Sequence, residues 1–164
     1  MRRDEDDGRS FRATRRTVRG TMRVPASPER VFPLLCPTRE YDWIGDWDCD
    51  LLYSESGLAE PDCVFVTSDE GGERTVWTVS RYEPPRRIEF VLFHPAHVLR
   101  YVIELEENAS GGSALTWSQT LTGLTEEGNR GLGRDYEETF LRLVKTLERM
   151  LVHYLSTGEA LREP

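Results

Sequence analysis

"RDYEETFLRLVKTLERMLVHYL", residues 134–155, is the longest periodic segment of a 164-residue chain. Its apolar members Tyr136, Phe140, Leu143, Leu147, Met150, Leu151 and Tyr154 step by three and four. That spacing puts them in one stripe on an α-helix. At 1.5 Å per residue the helix spans roughly 33 Å. A stripe that long has to be buried against another layer.

The segments before it supply the layer. "DCDLLYSES" (48–56), "DCVFVTS" (62–68), "RTVWTVSRYE" (74–83), "RRIEFVLF" (86–93), "VLRYVIELEE" (98–107) and "SALTWSQTLTG" (113–123) read as strands. Gly57, "DEGGE", "PP", "HPAH" and "NASGG" punctuate them as turns. Short connections make consecutive strands antiparallel neighbours. Upstream, "TVRGTMRV" (17–24) sets Val18, Gly20, Met22 and Val24 on one face of a first strand. "PASPERVFPLL" (25–35) then starts a helix with Ser27 as N-cap, Pro28 at the first helical position and Glu29 at the positive end. Pro33 and Pro37 keep it short. A second short helix is expected from Thr38, carrying Tyr41, Trp43, Ile44 and Trp47. The fold class is α+β: a seven-stranded curved antiparallel sheet wrapped around a long C-terminal helix, with two short helices after strand 1. Seven curved strands around one helix leave room for a cavity. One domain, 14–156, is expected between a charged, disordered tail (1–13) and a frayed C-terminus (157–164).

Bulk composition excludes several functions. The net charge is −8, which disfavours a nucleic-acid partner. No apolar run approaches 18 residues, so no integral membrane segment is expected, and "MRRDEDDGRSFR" lacks the apolar stretch of a signal peptide. Cys36, Cys49 and Cys63 match no zinc spacing and read as reduced thiols in a cytoplasmic protein. No glycine-rich phosphate loop follows a strand, and no cofactor is expected. Monomer and homodimer both remain open.

The aromatic and acidic run "EYDWIGDWDCD" (40–50) has to be weighed as a metal loop. Asp46, Asp48 and Asp50 occupy positions 1, 3 and 5 of a calcium loop. Position 6 is Leu51, not glycine, and position 12 is Gly57, not glutamate, so the calcium reading fails. Alternatively Trp43 and Trp47, at i and i+4, point inward while Glu40, Asp42 and Asp46 face water. That makes the run a pocket lip, or plain core.

Inward-facing strand residues are expected to include Trp77, Val79, Phe90, Leu92, Leu99, Tyr101, Ile103, Leu115, Trp117 and Gln119. In the strand holding Trp77 the phase stays open, because Val76 and Tyr82 share the other face. Gln119 lies among apolar neighbours, where its amide needs a partner from backbone, water or ligand. Arg81 is either a pocket group or an outward charge. His94 and His97 could ligate a metal only with a third ligand, and no Cys, Asp or Glu adjoins them, so no metal is expected.

The segments "VPASPERVFPLL", "REYDWIGDW" and the terminal helix after "LTWSQTLTGL" resemble the START-like, or SRPBCC, superfamily, in its bacterial polyketide cyclase-like branch. The resemblance covers about residues 14–156 and implies the helix-grip fold. It also implies a cavity between sheet and helix, with its mouth at loops 68–74, 94–97 and 123–133. His97, or His94, falls where the superfamily's plant hormone receptors carry a latch histidine, while their gate sequence is absent. The superfamily hosts carriers, receptors, cyclases and co-chaperone domains, so fold alone does not name an activity.

The expected function is binding or transport of a small hydrophobic molecule: a lipid, polyketide or aromatic. The ligand-binding set is Trp43, Trp47, Trp77, Phe90, Leu92, His97, Tyr101, Trp117, Gln119, Tyr136 and Phe140. An alternative is a polyketide cyclase or dehydratase-like enzyme, with His94, His97 and Tyr101 as catalytic candidates. A second alternative is a protein-interaction domain similar to Hsp90 co-chaperones.

Overall fold

The computed structural model describes residues 11–161. Residues 1–10 of the expected tail and 162–164 of the expected frayed end lie outside the described residues. Asn129 ties down residues 12–14, which include the end of the expected tail: its Nδ2 donates to Arg12 O (2.9 Å) and its Oδ1 accepts from Thr14 N (2.8 Å).

Strand β1 (Arg15–Val24) leads into three short turns of helix: α1 (Pro28–Val31), a 3₁₀ turn (Phe32–Leu35) and α2 (Pro37–Glu40). Strands β2 (Asp50–Tyr53), β3 (Val64–Ser68), β4 (Arg74–Glu83), β5 (Arg87–His94), β6 (His97–Glu107) and β7 (Ser113–Gly123) follow. Helices α3 (Glu126–Gly131) and α4 (Tyr136–Thr157) complete the chain. The strands form one antiparallel sheet in the order β1-β7-β6-β5-β4-β3-β2. This is the helix-grip fold.

Helix α4 packs its buried Phe140, Val144, Leu147 and Leu151 toward the sheet. Helix and sheet come close at Gly20 of β1. A Cβ there would stand 3.0 Å from Val144 Cγ2, so the missing side chain lets helix and strand approach. The expected stripe is therefore rotated slightly. Val144 is buried while Leu143 is 44% exposed. Gly158, in left-handed conformation, ends the helix.

The phase of β4 is settled by a bulge. Val79 pairs with Phe90 and Arg81 with Glu89, leaving Ser80 as the extra residue. The insertion flips the alternation. Trp77, Val79 and Tyr82 all turn inward, Tyr82 meeting Phe32 at 5.4 Å between ring centroids. Arg81 points outward and pairs with Glu83 at 2.8 Å. Helix α3 occupies a stretch expected to be loop. Thr125 caps it, accepting from Gly128 N at 3.0 Å.

Candidate functional site

The register of the sheet builds a row of inward side chains. Phe90, Tyr101 and Gln119 are cross-strand neighbours on β5, β6 and β7, and Ile103 and Trp117 form the next row. Phe65 and Trp77 extend the surface onto β3 and β4, stacked at 5.5 Å. Leu143 and Leu147 of α4 face this floor across a cavity of about 240 Å³. Glu40, Ile44 and Trp47 close its side.

The segment after α2 reaches the cavity because hydrogen bonds replace the helix expected there. Helix α2 stops at Glu40, and residues 41–47 turn. Trp43 is fully buried and donates its indole N–H to Leu34 O at 2.8 Å. Trp47 donates to Pro37 O at 2.8 Å. The Tyr41 hydroxyl accepts from Cys49 N (2.8 Å) and donates to Cys49 O (2.9 Å). Asp46, Asp48 and Asp50 are exposed, as on a lip.

Within the apolar wall sits a short polar set. Tyr136 Oη donates to Gln119 Oε1 at 2.6 Å, the partner that the amide needed. The Gln119 amide also lies against the Tyr101 hydroxyl. Burial, with Glu40 nearby, pushes Tyr101 well above the ordinary tyrosine range. The indole N–H of Trp117 is buried without an acceptor.

Glu40 is the group the sequence reading missed. Expected to face water, it lines the cavity. The residue stays partly accessible to solvent, and no side chain among the described residues pairs with its carboxyl. Desolvation alone pushes its pKa up to about 8. The i, i+4 argument failed here because it assumed a helix continuing past Glu40. The only sequence signal was an acid at the head of an aromatic run.

Of the expected ligand set, Trp47, Trp77, Phe90, Tyr101, Trp117 and Gln119 come together on the cavity wall. Trp43 does not, because its indole is committed to the core. Phe140 is buried in the main core beside it. Leu92 packs in a separate cluster with Leu99, Leu121 and Leu132, which fills the hairpin end of the sheet. Tyr136 acts through Gln119 and does not line the wall.

His94 and His97 also lie away from the cavity, at the β5–β6 hairpin. Their rings stack at 4.4 Å. His94 Nδ1 accepts from Ala96 N (3.1 Å), so its proton is on Nε2, which points at Glu73 Oε2 at 3.0 Å. Asp69 stands close enough to complete a possible metal set with Glu73 and His94. The backbone bond to Nδ1 holds the wrong tautomer for a metal on Nε2. Asp69 Oδ1 is likewise engaged by Glu73 N at 2.8 Å. Burial, with His94 stacked beside it, lowers the His97 pKa. The mouth expected at loops 68–74, 94–97 and 123–133 contributes no residue to the cavity wall.

Residues 15–148 match the family described as polyketide cyclase / dehydrase and lipid transport. The chain belongs to this family. It falls within the START-like, or SRPBCC, superfamily. Similar solved structures include the Mll3558 protein of Rhizobium loti, 18% identical, covering 85% of this chain and 99% of that one with a TM-score of 0.62. DynU16, from the dynemicin biosynthetic locus, is 21% identical with a TM-score of 0.60, covering 87% of this chain and 48% of that one. Ara h 8.0201 is 13% identical, covering 88% and 99% with a TM-score of 0.63. At these identities the likeness shows the fold. No curated protein matches the sequence. Family and cavity together support a hydrophobic-ligand-binding domain. Among the described residues no helix is long and apolar enough to cross a membrane.

Proposed function

We propose that the protein binds a small, largely aromatic molecule between the sheet and α4. The observation that carries this is the cavity of about 240 Å³ walled by Trp47, Phe65, Trp77, Phe90, Tyr101 and Trp117. A dry cavity near 150 Å³ is enough to hold benzene, so this one has room for a fused pair of rings. Aromatic walls supply area, and Glu40, Tyr101 and Gln119 supply orientation. Trp43 and Phe140 hold that wall from behind, and Tyr136 fixes the Gln119 amide. The three free thiols fit the reducing compartment read from the sequence. Isothermal titration with 1-naphthylmethanol tests the reading. Wild type is expected to bind one equivalent, and Leu143→Trp, which plugs the cavity from a half-exposed position, is expected to lose it. Equal binding by both would place the probe elsewhere.

A second reading, acid–base chemistry of the cyclase or dehydratase kind, draws support from Glu40. A carboxyl that holds its proton near neutral pH, close to a tyrosine hydroxyl in a largely apolar cavity, suits a general acid. In that reading Glu40 and Tyr101 take the role first assigned to His94 and His97. A bell-shaped rate profile lost in Glu40→Gln would support it.

A further inference from the structure

The cavity's polar composition narrows the ligand further, on the reading that the cavity is the binding site. Its wall holds one carboxyl, that of Glu40, and no lysine, arginine or histidine. Six aromatic rings surround the same space. Nearby cations are spent elsewhere: Arg39, next in the chain, is held by Asp42 at 2.7 Å. A partly buried acid without a counter-charge is costly to ionise, and the ring faces around it attract cations.

We propose that the site takes a lipophilic amine, whose ammonium pairs with the Glu40 carboxylate while its apolar body stacks among Trp47, Trp77 and Trp117. The ammonium supplies the charge that the wall lacks. The aromatic faces add cation–π attraction. An aromatic alcohol of the same shape gains the stacking and a neutral hydrogen bond, but no ion pair. An aromatic carboxylate meets a like charge or has to keep Glu40 neutral.

Binding is then linked to a proton. Below about pH 8 the free site holds Glu40 neutral. Pairing with the ammonium ionises it, and the proton leaves to solvent. Affinity for the amine therefore rises about tenfold between pH 6.5 and 7.5 and levels off above about 8, while the alcohol's affinity is flat. The titratable groups that feel Glu40 are Tyr101 on β6 and Cys49 before β2. Both are pushed upward by burial, so both stay neutral through this window. Tyr136 of α4, beyond Gln119, is raised as well.

The experiment is calorimetric titration of the full chain with 1-naphthylmethylamine and 1-naphthylmethanol, in phosphate and in Tris, at pH 6.5, 7.5 and 8.5. The expected result is an amine at least about tenfold tighter than the alcohol at pH 8.5, with close to one proton released at pH 6.5. Glu40→Gln is expected to abolish that preference. The proton count in wild type stands even if the variant folds poorly. An alcohol that binds as tightly as the amine, or an amine bound without proton release, overturns the inference and leaves the cavity reading intact. Failure of both probes in wild type overturns the two together.

Discussion

The cavity and the β5–β6 hairpin end each hold a polar cluster, and the two are partnered in opposite ways. At the hairpin, His94 is bonded to Ala96 N on one ring nitrogen and Glu73 on the other, and Asp69 braces the adjoining turn. These groups satisfy one another near solvent. In the cavity the partly buried Glu40 carboxyl and the fully buried Trp117 N–H have no partners among the described residues. Histidines look reactive in a sequence, and a glutamate among surface acids does not. Environment reverses the order, because an enclosed and unpaired group carries free energy that a ligand can release.

The comparison breaks most readily by filling the cavity. Leu143→Trp is expected to weaken binding of 1-naphthylmethanol by at least about 100-fold, since overpacked cores cannot absorb a fused ring. Leu143 is 44% exposed, so the fold should survive with little loss of Tm. Retained affinity would show that the rings line core and not a site.

The next effect is on stability. Glu40 keeps its proton up to about 8 in the folded chain, against an ordinary 4.5. Between those values the unfolded chain has released a proton that the folded chain retains. Stability is therefore full below about 4.5 and falls as pH rises toward 8. Glu40→Gln removes the penalty. After allowing for the water that the cavity admits, it should stabilise by roughly 2 kcal/mol at pH 8 and change little at pH 5. Urea unfolding at both pH values checks this, and a variant weaker at pH 8 would contradict it.

Tyr136→Phe is smaller. It strips the donor from Gln119 Oε1 and should cost about 1 kcal/mol. It should also weaken ligand binding by loosening the amide, which parallel melts and titrations would separate. His94→Ala sharpens the contrast from the other side. It should shift stability by about 0.5 kcal/mol or less and leave affinity unchanged, because its partners remain solvated. A loss of ligand binding in this variant would return the site to the hairpin mouth.

The sequence carried the sheet well. The strand runs and their turn residues placed all seven strands, and alternation named Phe90, Tyr101, Trp117 and Gln119 as inward. Three features were illegible for physical reasons. The Ser80 bulge changes phase without a glycine to mark it. The 41–47 turns are held by indole and tyrosine hydrogen bonds to distant backbone, which local spacing does not reveal. Glu40's inward turn follows from that irregular path. Leu92 failed for a different reason: it is inward, but the hairpin end of the concave face is packed solid by Leu99, Leu121 and Leu132.

The most direct test is native mass spectrometry of freshly purified wild type and Leu143→Trp, with any released small molecule identified after denaturation. A one-to-one complex with a small aromatic or apolar mass is expected in wild type, and bare protein in the variant. The same adduct on both proteins, or bare wild type that also ignores the naphthyl probes, would contradict a ligand site in this cavity and direct the search to protein partners.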